Sequence, residues 1–112
     1  MPDLFAGKIH AILQRNWKDR VKGRDYYDFV WYIGRQVPVH LSHLENRLRQ
    51  SGGLEQKKFE FADLLQLLRN KFETLDIAAA KKDVASFLKD PDSIALWSRE
   101  FFTSLLLQLN FI

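Results

Sequence analysis

Cysteine is missing from the sequence, which excludes a disulfide framework, a thiolate nucleophile and any cysteine-ligated zinc site. Glycine and proline are sparse, at five and three residues, and no glycine-rich phosphate loop, Ser-His-Asp set or metalloprotease motif can be read from the residue order. Runs of alternating β-branched residues are lacking as well, the nearest being the short "VPVHL". Long apolar runs are also absent. The most apolar stretch, "FFTSLLLQLNFI", falls short of the roughly 20 residues of a spanning helix and reads as core. The start, "MPDLFAGKIH", has no basic segment followed by a long apolar run, so neither export nor membrane insertion is expected. Together with the missing cysteine this predicts a cytoplasmic protein.

What is present suits a folded domain. The 112 residues fit one domain of ordinary size, and a hydrophobic fraction of 46% with 28% charged residues is enough to bury a core. A net charge of +3 tilts the partner class slightly toward nucleic acid or nucleotide. The charge is local: Arg15, Lys18, Arg20, Lys22 and Arg24 face a single acid, Asp19, in the segment 15–24.

Apolar residues recur at helical spacing almost throughout, so the fold class is all-α, with about six helices in a compact bundle. The spacing predicts helices over 3–14, 25–34, 41–50, 60–74, 76–88 and 93–109. Phe5, Ile9, Ile12 and Leu13 form the stripe of the first, and Tyr26, Phe29, Val30 and Ile33 that of the second. Gly34 is the expected stop of the second helix. Asp76 is the expected cap of the fifth, and Asp92 or Ser93 that of the sixth. Residues 1–112 read as a single helical domain. The run Ser51-Gly52-Gly53 marks a subdomain break near 51–54.

Lys8 lies beside an apolar stripe and shares a face with Arg15. Such a lysine either lets its ammonium snorkel to water or, partly desolvated, grips a phosphate. Asp25 and Asp28 project from one face of the second helix near its start, where the dipole favours anions. They can serve as a helix cap and its capping-box acid. With Lys22 and Arg24 next to them, they can instead form an ion-pair network or orient a metal-bound polyphosphate. Gly23 suits either a close approach to a ligand or the turn into the helix. The run Tyr26, Tyr27, Phe29, Trp31, Tyr32 reads first as core packing and second as a base-stacking surface. His10, His40 and His43 are joined by no third ligand at metal spacing, so no metal site is assigned within the chain.

Two segments, "LFAGKIHAILQR" and "KGRDYYDFVWYI", together resemble the C-terminal half of the AbiEii/AbiGii toxin family of nucleotidyltransferases from toxin–antitoxin and abortive-infection systems. In that family a helix of the form K-L-x-A-L-x-x-R precedes a loop and an R-D-x-x-D segment that opens an aromatic helix. Here Lys8, His10, Ala11, Leu13 and Arg15 stand for the first motif, and Lys22, Arg24, Asp25 and Asp28 for the second. The resemblance covers roughly residues 4–35.

The resemblance implies the helical half of a polymerase-β-like enzyme, closing a nucleotide site whose other half carries a Gly-Ser turn and an acidic metal-binding pair. By that resemblance Lys8 and Asp25 are the catalytic candidates. Lys8, Arg15, Lys22 and Arg24 bind the nucleoside triphosphate, and Asp28 supports the loop. The resemblance also implies Mg²⁺ as cofactor, an RNA acceptor such as transfer RNA, and a cognate antitoxin. The departure is that no Gly-Ser followed by Asp-x-Asp occurs in these residues, so the N-terminal nucleotidyltransferase core is expected to be missing, through a fragment or a truncated gene. Transfer by this chain alone is not expected, and apolar surface left uncovered predicts self-association. The alternative reading is a non-catalytic helical module that binds RNA or protein through the basic loop 15–24.

Overall fold

The computed structural model describes residues 1–14, 22–52 and 54–112. Among these, six α-helices form: α1 Pro2–Gln14, α2 Gly23–Gly34, α3 Leu41–Gln50, α4 Phe61–Glu73, α5 Ile77–Ala85 and α6 Arg99–Leu105. Single 3₁₀ turns cover Pro91–Ile94 and Leu106–Gln108. The all-α reading therefore holds, and no strand forms among the described residues. One parallel bridge joins Val39 to Phe111, with the Val39 N–H donating to the Asn110 carbonyl at 2.9 Å and the Ile112 N–H returning to Val39 at 2.9 Å. The "VPVHL" stretch thus pairs with the chain's last residues. The Cα radius of gyration is 13.6 Å, close to the ~13 Å of a compact 100-residue domain.

One core runs through the molecule. Helix α1 contributes Phe5, Ile9 and Ile12, α2 contributes Tyr26, Phe29 and Ile33, and α4 contributes Leu64, Leu68 and Phe72. Helix α1 packs on α2 and α3, α2 on α5, and α4 on α6. Aromatic rings knit these contacts. Phe29 meets Phe72 edge-on at 5.5 Å, Tyr26 meets Phe102 edge-on at 5.5 Å, and Tyr32 stacks on Phe5 at 4.8 Å. The aromatic run of α2 is therefore mostly core. Trp31 is the exception, standing at the surface with the Arg35 guanidinium 5.0 Å from its ring.

Three predicted helices change their bounds by two residues or more, α5 among them, which ends at Ala85 and not at 88. The apolar spacing over 93–109 does not make one helix. Between Trp97 and Phe102 the buried positions step by five, a turn does not continue, and Ser98 caps a new helix by accepting from the Phe101 N–H at 2.9 Å. Helix α2 begins at Gly23, two residues before the predicted start. Asp76 caps α5 as expected, accepting from the Ala79 N–H at 3.0 Å.

The early start of α2 is set by α5. The Gly23 N–H donates to Asp83 Oδ2 at 2.8 Å, and a Cβ on Gly23 would stand 2.1 Å from the Ala80 carbonyl oxygen. Gly23 thus permits a close approach, to a neighbouring helix rather than to a ligand. The segment before α4 is tied back to α3: the Arg49 guanidinium donates to the carbonyls of Gln56 at 2.8 Å and Lys57 at 3.1 Å. Gly52 supplies the positive φ of 77° that the turn after α3 uses.

Gly23→Ala should destabilise the fold by about 2–3 kcal/mol, because a backbone carbonyl cannot move aside. Gly34→Ala, with no atom within 4 Å of the added carbon, should be neutral or stabilising by up to about 1 kcal/mol. Urea unfolding of both variants checks this, and equal losses would show that the helix approach at Gly23 is not the constraint.

Candidate nucleotide site

Antiparallel packing of α1 against α2 brings Lys8 over the first two turns of α2. Its Nζ donates to Asp25 Oδ1 at 2.9 Å and lies 3.0 Å from Asp28 Oδ2. The spacing 25, 28 places both carboxylates on one helical face, and Phe5 and Ile9 on the flanking positions of α1 hold the Lys8 stem at the edge of the core. The lysine side chain is 26% exposed, Asp25 12% and Asp28 44%, so the cluster grades from the core outward.

This arrangement replaces the capping reading of the two aspartates. The N-cap of α2 is Lys22, which makes no side-chain cap bond, and Asp25 is the third helical residue. Asp25 still benefits from the helix dipole in the first turn. Partial burial lowers the Lys8 pKa, but hydrogen bonds and charge from Asp25 and Asp28 outweigh it and hold the ammonium above its ordinary value. Lys8 is thus protonated at neutral pH and can act as a cation, not as a base.

Arg24 occupies a different side of α2. Its guanidinium lies over the Phe87 ring, 4.5 Å from the centroid, on the wall of a groove of about 470 Å³ between α2 and the end of α5. Tyr27, Asp28, Lys89 and Ser93 line the same groove, so Asp28 faces both Lys8 and the groove. Lys22 stands at the start of α2, half-buried. Arg15 and the basic positions Lys18 and Arg20 lie outside the described residues. The structure therefore unites Lys8, Asp25 and Asp28, and sets Arg24 alongside with an aromatic partner.

Sequence reasoning missed Phe87, Lys89 and Ser93, which lie some sixty residues from Arg24 and have no motif of their own. Asp83 was missed for the same reason. No group of three or more metal-ligating side chains occurs among the described residues. The Lys8 ammonium occupies the position between Asp25 and Asp28 that a cation would take. These two carboxylates therefore do not fit Mg²⁺ as they stand, and no step through the metal is derived from them.

A half-buried lysine gripped by two carboxylates, beside an aromatic groove lined by Arg24, Lys89, Asp28 and Asp90, is what this helical domain sets at its surface. The sequence profile of the family described as nucleotidyl transferase AbiEii toxin, Type IV TA system, matches residues 1–108. The chain belongs to this family, and its role is of the toxin–antitoxin nucleotidyltransferase type. The match extends well past residues 4–35 and takes in α3 to α6. An antitoxin counterpart comes with a toxin–antitoxin family. No curated protein and no solved structure matches the chain. No helix among the described residues is long and apolar enough to cross a membrane.

Lys8→Met should cost about 1–3 kcal/mol, since it leaves a mostly buried Asp25 carboxylate short of a charged donor, whereas Asp28→Asn, half in water, should cost less than about 1 kcal/mol. The Lys8 pKa is raised on folding. Its contribution is therefore complete below the ordinary lysine value of 10.5 and is lost as pH rises through the still higher folded value. The stability gap between wild type and Lys8→Met should stay constant from neutral pH to about 10 and close only above that. Denaturant titrations across this range measure it, and a gap that closes near neutrality would contradict the ion-pair assignment.

Proposed function

We propose that this chain is the helical, nucleotide-facing part of a toxin-type nucleotidyltransferase, with Lys8 as the residue that meets the triphosphate. The observation carrying this reading is the Lys8 ammonium held between Asp25 at 2.9 Å and Asp28 at 3.0 Å, within the span the family profile matches. An ammonium kept protonated and aimed by two carboxylates is a preorganised cation, which stabilises phosphate charge without reorganising at the moment of transfer. Asp25, the more buried acid, orients Lys8 and is its catalytic companion. Asp28, half-exposed, positions the edge of the site. Lys22 adds positive charge at the start of α2, Arg24, turned to another side of the helix over Phe87, adds only to the general field, and Arg15 is assigned to the triphosphate from the sequence alone.

Magnesium, as the resemblance implies, would travel with the triphosphate and be held by groups other than the Lys8-bound pair. No Gly-Ser pair occurs in the chain, so transfer to an acceptor such as RNA is assigned to the site completed by a nucleotidyltransferase core. A purely structural helix clamp is the competing reading. In that case Lys8 substitution would lower stability and leave nucleotide affinity untouched.

Titration of the folded chain with each nucleoside triphosphate, by calorimetry, separates the two. Lys8→Gln should weaken binding about tenfold or more, the size of one charge-assisted contact to phosphate, at temperatures where circular dichroism shows the fold retained. Unchanged affinity in a folded Lys8→Gln variant would leave only the clamp.

A further inference from the structure

The groove between α2 and the end of α5 shares only Asp28 with the Lys8 cluster, and its composition is distinctive. Phe87 is 61% exposed, a large ring left at the surface beside Tyr27. The two carboxylates of the groove are already engaged. Asp28 Oδ2 lies 3.0 Å from Lys8 Nζ, and Asp90 Oδ1 accepts from the Asp92 backbone N–H at 3.0 Å. Arg24, whose guanidinium covers one face of the Phe87 ring at 4.5 Å, and Lys89 make no ion pair among the described residues, so the groove presents two cations and a ring that is still 61% exposed.

We propose that this groove binds a single strand of nucleic acid, one base stacking beside Tyr27 on the face of Phe87 that Arg24 leaves uncovered, and the phosphates on either side of it meeting Arg24 and Lys89. Bases stack on aromatic side chains whatever their sequence, and cations track the backbone. Cations carried by two different segments beside an exposed ring suit a strand, whose charge is spread along its length. The Ser93 hydroxyl lies within the same groove and is a polar group for the sugar. The inference rests on the reading of this chain as a nucleotide-handling domain and deepens it by giving the acceptor strand a place: Asp28, common to both features, sets the strand beside Lys8.

The test is fluorescence anisotropy of the folded chain with a labelled oligouridylate of about ten nucleotides. Phe87→Ala should weaken binding roughly tenfold, the low to middle range for loss of one stacked base, and Phe87→Tyr should restore it. Lys89→Gln should weaken binding and reduce the slope of log affinity against log salt by about 0.7, one phosphate's worth for a single strand. Excess nucleoside triphosphate should not displace the strand. The inference is overturned if the oligonucleotide does not bind, if binding ignores both Phe87 and Lys89, or if the triphosphate displaces it and itself needs Phe87. The last outcome would make the groove the base pocket of the donor nucleotide. None of these outcomes decides the role of Lys8, which its own triphosphate titration settles.

Discussion

Helix α2 is held from two sides, and its placement governs everything the surface can do. On one side a missing side chain at Gly23 lets it come against the α5 backbone, where a Cβ would stand 2.1 Å from the Ala80 carbonyl. On the other, the Lys8 ammonium of α1 spans to Asp25 and Asp28. The first is a constraint of space and the second of charge, so neither can substitute for the other. With both in place, the face carrying Arg24 and Tyr27 has only one orientation, toward Phe87. If α2 rolled by one residue, roughly 100°, Tyr26 and Phe29 would leave the core and the carboxylates would lose the lysine.

Burial and ionisation are matched along that face. Asp25 sits nearly inside, where desolvating a carboxylate is expensive and a nearby cation offsets the cost. Lys8 is that cation and is in turn kept protonated against its own partial burial. Farther from the core, Asp28 needs less support and is free to face the groove. A comparable but looser clamp closes the other end of α1. There the Asp3 carboxylate accepts from His40 Nδ1 and is held below its usual pKa mainly by that bond. His10 Nε2 meets Ser51 Oγ at 3.1 Å, with burial, and then Arg47, holding its imidazole below the ordinary value. Helix α1 is thus tied by polar contacts at its edges and by Phe5, Ile9 and Ile12 along its centre.

The parts legible in the sequence were those fixed by local pattern. The bounds of α3 follow from Leu41, Leu44 and Leu48 ending at Ser51-Gly52, and the caps at Asp76 and Ser98 are short-range chemistry, although Ser98 was hidden by an apolar spacing that continues across it. The sequence suggests ion pairs of Asp25 and Asp28 with the neighbouring Lys22 and Arg24, and their pairing with Lys8 is not legible in it. The structure supplies the geometry, because nothing local says which face of α1 meets which face of α2. Gly23 was read as turn or ligand approach, and its actual reason lies on α5, sixty residues away. The groove was illegible for the same cause: Phe87, Lys89 and Ser93 acquire meaning only when α5 docks on α2.

A lysine already satisfied by two carboxylates raises the question of how it could serve a phosphate at all. A carboxylate pair in place of water holds the ammonium at fixed position, so little side-chain entropy remains to be lost when an anion arrives. The cost is competition, since each oxygen at about 3 Å already draws on the same charge. On the proposed reading, a triphosphate with several negative charges, meeting Lys8 with Lys22 at the start of the same helix as the carboxylates, would not have to displace them. Nζ has three donors, two of which point to Asp25 and Asp28, and the third is available at the exposed edge. A clamp that leaves one donor free is compatible with binding, whereas one that used all three would be structural only.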